Sequence, residues 1–86
     1  MNNSIENQLN DEITTGRNAQ RAYDSFIKSF VLDKRAVLFT AFQDVSIVEA
    51  EALQEIKRQL IVLETLDQEI LTIIETGDLA KKQLNK

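Results

Sequence analysis

The sequence predicts an all-α protein: an antiparallel helical hairpin with an additional N-terminal helix, completed by oligomerisation. Three observations carry that reading. The chain of 86 residues contains no proline and only two glycines, Gly16 and Gly77, so little interrupts a helix. Apolar residues recur at steps of three and four, which is the helical period rather than the alternation of a strand. A single domain over residues 1–86 is also short, and a short domain buries a smaller share of its surface, so a helical chain of this size gains by pairing with a copy.

The first helix is predicted over residues 4–22, behind a polar opening, MNNSIENQLNDE, that is open to fraying. Thr14, Thr15 and Gly16 in succession are poor helix-interior residues and predict a hinge. A second helix is predicted over 25–43, with Asp24 or Ser25 as its cap. Its apolar face reads Ile27, Phe30, Val37, Leu38 and Ala41, with Lys34 in the middle. Asp44 to Ser46 then form a tight connector.

In DVSIVEAEAL, Ser46 and Glu49 have capping-box spacing, in which the hydroxyl and the carboxylate satisfy backbone N–H groups at a helix start. A third helix is therefore predicted from Ile47 to Thr76, about 45 Å long. Gly77 is its predicted stop, because glycine adopts the left-handed C′ conformation without steric cost, and 78–86 is a tail. Leu53, Ile56, Leu60, Leu63, Ile70 and Ile74 make a heptad-like seam for the preceding helix. Val62, Leu66 and Ile73 fall on nearly the opposite side and are the predicted oligomer interface. The competing arrangement is a monomeric three-helix bundle in which residues 5–23 cover that stripe.

Asp67 interrupts the seam. With the turn near residue 45, Lys34 lies opposite about residue 57, roughly 15 Å from Asp67, so the two do not pair within one chain. Lys34 is expected to extend to water and Asp67 to sit at a wet end of the bundle.

There is no cysteine and no histidine, which removes disulfides, thiolate chemistry and the commonest transition-metal ligands. A metal site would have to be built from carboxylates alone, and none is predicted, nor any cofactor. No nucleophile motif or glycine-rich phosphate loop occurs, so the expectation is a protein that is not an enzyme. The N-terminus has no signal-peptide pattern and no run of eighteen apolar residues exists, which predicts a soluble protein of the cytoplasm without a membrane role. Net charge −4 and a pI near 4.7 argue against general DNA or RNA binding.

Against that acidic background, GRNAQRAYDSFIKSFVLDKR holds five of the ten cations. Arg17, Arg21, Lys28 and Arg35 stand four, seven and seven residues apart, one stripe on a continuous helix. Tyr23 or Phe26 beside them would stack on a base, and arginine forks hold phosphates bidentately. Such a stripe, multiplied by oligomer symmetry, is an anion-site candidate. The plainer reading is a solvated face balanced by the last helix, which carries net −5 between Ile47 and Thr76.

The segments GRNAQRAYDSFIKSF and EALQEIKRQLIVLETLDQEILTIIETGDLA resemble a widespread set of small tailed-phage proteins over about residues 16–80. The shared pattern is a glycine–basic–alanine start, a short aromatic-containing helix, and a long leucine-rich helix closed by Gly77, Leu79 and Ala80. The resemblance brings no activity, but it implies a phage protein acting in the host cytoplasm. There the cationic stripe is similar to what helical phage sponge proteins use to sequester cyclic or ADP-ribose-type immune nucleotides. The leading expectation is thus a non-enzymatic oligomeric sponge binding a phosphorylated nucleotide through Arg17, Arg21, Tyr23, Lys28 and Arg35. The alternatives are a virion assembly adaptor working through Val62, Leu66 and Ile73, or an inhibitor presenting the acidic helix to a host protein.

Overall fold

The computed structural model describes residues 2–86, with side chains from Asn3 onward. The chain is all-α, as the periodicity predicts. Helix α1 spans Asn2–Ala22, a π-helical turn spans Tyr23–Ile27, α2 spans Lys28–Gln43, and α3 spans Ala50–Leu84. The first three join end to end. Lys28 N–H donates to the Tyr23 carbonyl, five residues back, so the chain passes from α1 into α2 without a break. The expected new cap at Asp24 or Ser25 is absent, because no proline or glycine there ends the helical hydrogen bonding.

The molecule is therefore a hairpin of two long arms measuring 61 × 23 × 15 Å, not a stack of three short helices. Its first arm packs along α3 over both halves, α1 on the C-terminal half and α2 on the N-terminal half. The N-terminal helix thus extends the hairpin lengthwise and does not cover the side of α3 that carries Val62, Leu66 and Ile73.

The π turn has a geometrical cause in the sequence. Along the first arm the residues facing α3 are Ala19, Tyr23, Ile27 and Val31, each four after the last. On an uninterrupted α-helix each step of four overshoots a full turn by about 40°, so Val31 would stand about 120° away from Ala19. One wide turn takes out about 100° and returns Val31 to the seam. Beyond it the core is closed by Val31, Leu38 and Leu63, with Ile27, Ile56 and Leu60 half-buried around them.

At the far end the arms meet through glycine. A Cβ on Gly16 would stand 2.9 Å from Gly77 Cα, and one on Gly77 would stand 2.9 Å from the Glu12 carbonyl oxygen. Both obstacles are backbone, so any side chain there would force the arms apart. This corrects two expectations. Gly16 is not a hinge, and Gly77 does not end α3, which continues to Leu84 with the 78–81 turn packed on α1 and Ala80 only 1% exposed. The missing Cβ serves close approach instead of a left-handed cap, and neither glycine has a positive φ.

The connector differs from the capping box as well. Ser46 donates from its N–H and its hydroxyl to Asp44 Oδ1, at 2.9 and 2.7 Å, and Ile47 N–H donates to the Asp44 carbonyl. Asp44 thus makes an Asx turn that uses the serine hydroxyl, and α3 begins three residues later than expected, at Ala50. On α2, Val31 is buried while Phe30 and Val37 are 59% and 61% exposed, so the predicted face was rotated by part of a turn. Lys34 is exposed.

Candidate functional site

The cationic residues are distributed over the first arm rather than gathered on one line. Arg17 and Arg21, one helical turn apart on α1, line a groove of about 210 Å³ where Gly16 and Gly77 bring the arms together. Gln20, Asp24, Asp78 and Lys81 complete its polar rim, and Gln20 donates to both carboxylate oxygens of Asp24 at 3.0 and 3.1 Å. The π turn then rotates everything downstream, placing Lys28 roughly 110–120° around the arm from Arg21. Arg35 faces α3, where its Nε donates to Glu64 at 2.7 Å. That pair is partly solvated and contributes ~0.2–1 kcal/mol.

Tyr23 is turned into the seam beside Asp67. Its phenol is held above the ordinary value of 10.0, first by hydrogen bonding to the Asp67 carboxylate, then by burial and by that carboxylate's charge, with Arg35 opposing. Asp67 Oδ1 is itself buried without a hydrogen-bond partner. The phenol therefore leaves that oxygen unsatisfied, and Asp67 lies mid-seam rather than at a wet end. Lys34 plays no part in this polar layer.

The largest uncommitted surface is apolar. Among the described residues fifteen large hydrophobic side chains are exposed, while only five apolar side chains are buried. On α2 they flank the seam on both sides: Phe30 and Val37 on one, Leu32 and Phe39 on the other. Only the line Ser29, Asp33, Ala36 and Thr40, opposite the seam, lacks a large apolar group. On α3, Val62, Leu66 and Ile73 are 61%, 48% and 40% exposed.

Antiparallel geometry decides which of these stripes share a side. When two right-handed helices run oppositely, residues rotated in the same sense from the seam lie on the same side of the hairpin. Arg35 and Glu64 are rotated in one sense by about 40° and 100°, and they pair. Phe30 and Val37, about 100–120° in the other sense, lie on the same side as Val62, Leu66 and Ile73, at about 60–100°. Phe26, 63% exposed and four residues before Phe30, extends that side toward α1. The helical period alone places Phe30 and Val37 inward, so the sequence does not show the aromatic half of this face.

No protein-family profile, no curated protein and no solved structure matches this chain. The fold and the faces themselves thus carry the functional reading. Among the described residues no cluster of acidic side chains is placed to hold a metal ion, and no helix is long and apolar enough to cross a membrane.

Proposed function

We propose that this protein is a non-enzymatic helical assembly module, which works by laying apolar helix faces against other protein surfaces. The observation that carries this reading is α2, which exposes Phe30 and Val37 on one flank of its seam and Leu32 and Phe39 on the other, with Lys34 and Arg35 set among them. A helix with large apolar groups on both sides of its seam is suited to more than one neighbour, yet here it has one partner helix. The tailed-phage resemblance fits a small protein of this kind acting as an assembly adaptor.

Nucleotide sequestration is the second reading, and the groove between Arg17, Arg21 and Lys81 is what favours it. Asp24 and Asp78 in the same rim weaken its hold on an anion, and Lys28 and Arg35 lie outside it. For the assembly reading a nucleotide site is unnecessary.

Native mass spectrometry, with and without a panel of cyclic and ADP-ribose-derived nucleotides, separates the two. Assembly predicts a defined multiple of the 9.8 kDa chain that gains no nucleotide mass. Leu66→Asp is expected to reduce that species to single chains. Stoichiometric nucleotide uptake, abolished by Arg21→Ala, would replace this reading with the sponge.

A further inference from the structure

We infer that the first partner is a second copy of the chain, packed antiparallel about a two-fold axis through the face made by Phe26, Phe30, Val37, Val62, Leu66 and Ile73. The inference rests on the assembly reading and gives it a geometry.

Size is the first argument. These six side chains are between 40% and 63% exposed and together offer on the order of 600 Å² of apolar surface. That is at the upper limit of what soluble monomers leave uncovered, and close to the ~800 Å² per partner of a stable interface. Two hairpins joined here become a four-helix bundle, and each α2 gains the neighbour that its flank lacks.

Self-complementarity is the second. A two-fold contact uses the same patch on both copies, so the patch must not end against a clashing surface when the partner is turned over. This patch sits near the middle of the rod: Leu66 lies roughly 25 Å along α3 from Ala50, with about as much helix again beyond it. A perpendicular axis there overlaps the two rods along most of their 61 Å length.

Charge chooses between the two possible directions. From residue 36 to residue 56, around the hairpin tip, there are four acids and no cation: Asp44, Glu49, Glu51 and Glu55. From residue 79 onward α3 and its end carry Lys81, Lys82 and Lys86 with no acid. Glu6, Asp11 and Glu12 on α1 stand at that same end and offset those three lysines, so the end is near neutral while the tip is acidic. A parallel dimer sets one acidic tip beside another, whereas an antiparallel dimer separates the two tips and sets each beside the partner's near-neutral, lysine-bearing end. Within one chain the two ends are too far apart to meet.

The absence of cysteine gives the test a clean background. Val45, 91% exposed at the tip, is replaced by cysteine and spin-labelled, and the label-to-label distance is measured by pulsed electron resonance. The antiparallel dimer predicts a distance of about 50 Å, set by the rod length. A distance under about 25 Å means parallel packing and overturns the inference while leaving assembly standing. No dipolar signal, with a mass of 9.8 kDa at the same concentration, overturns it by removing the second copy. Phe30→Asp is the companion variant: halved mass with helical circular dichroism retained supports the face, and an unchanged mass rejects it. Should that variant unfold, the Val45 distance in the otherwise native chain still decides.

Discussion

Placing a carboxylate in an apolar seam strips it of water, and the cost is recovered only through partners. Asp67 has Tyr23 as its neighbour and leaves Oδ1 unsatisfied. The phenol is the only tyrosine in a chain without tryptophan, so its ultraviolet titration reports one group. Its folded pKa is raised above 10.0, which means the stabilisation is fully present below pH 10 and is lost as pH rises through the folded value. Asp67→Asn removes the charge, and the phenol of that variant is expected to titrate closer to 10.0, with a smaller alkaline loss of stability. An unaltered Tyr23 titration would show that Asp67 does not govern it. The break in the heptad at Asp67 was legible in the sequence; its partner was not, because the π turn sets what faces the seam. Glycine illustrates the same limit. A left-handed cap and a close helix approach both require a missing Cβ, and Gly77 alone does not tell them apart. The clue lay in the pair: Gly16 and Gly77 are equidistant from the connector and so stand opposite each other in an antiparallel hairpin.

At the level of the elements, the long last helix was readable because its apolar positions hold a strict heptad from Ile56 to Ile74, broken only by Asp67. The first arm was harder, since three successive steps of four fit neither a continuous α-helix nor a clean break. Helical propensity around residues 14–16 and 24–25 pointed to separate helices, yet packing against α3 holds the arm in one piece. The π turn is the structural answer to one residue too many between Ala19 and Val31. Removing Ser25, exposed within that turn, sets those positions eleven residues apart, which an ordinary α-helix spans with about 20° of error. Deletion of Ser25 is therefore expected to keep the hairpin folded, with stability within about 1 kcal/mol of the parent in urea unfolding. Inserting one alanine after Ala36 has the opposite effect, turning Leu38 about 100° out of the core. Loss of that contact costs about 2–5 kcal/mol, the range for emptying a buried leucine site. Equal effects from the two changes would mean that the π turn is not what keeps the seam in phase.

For the whole molecule, the balance between buried and exposed apolar groups bears on stability itself. Among the described residues, a single hairpin buries only Val31, Leu38, Leu63, Ile74 and Ala80 as apolar side chains, a small core for a chain that orders over eighty residues. Most of its remaining hydrophobic surface faces outward, and in the proposed dimer part of the burial that offsets chain entropy comes from the second copy. For that dimer, folding includes an association step, and the midpoint of thermal unfolding is expected to depend on concentration. For a two-chain unit of this size, each tenfold increase contributes about 1.4 kcal/mol, which raises the midpoint by roughly 3–6 °C. A dilution series over three decades, followed by circular dichroism, measures that slope directly. A midpoint that holds constant across the series, with helix intact at the lowest concentration, would mean that Val31, Leu38 and Leu63 suffice without a partner. The exposed face of Phe30 and Leu66 would then be left for a different protein.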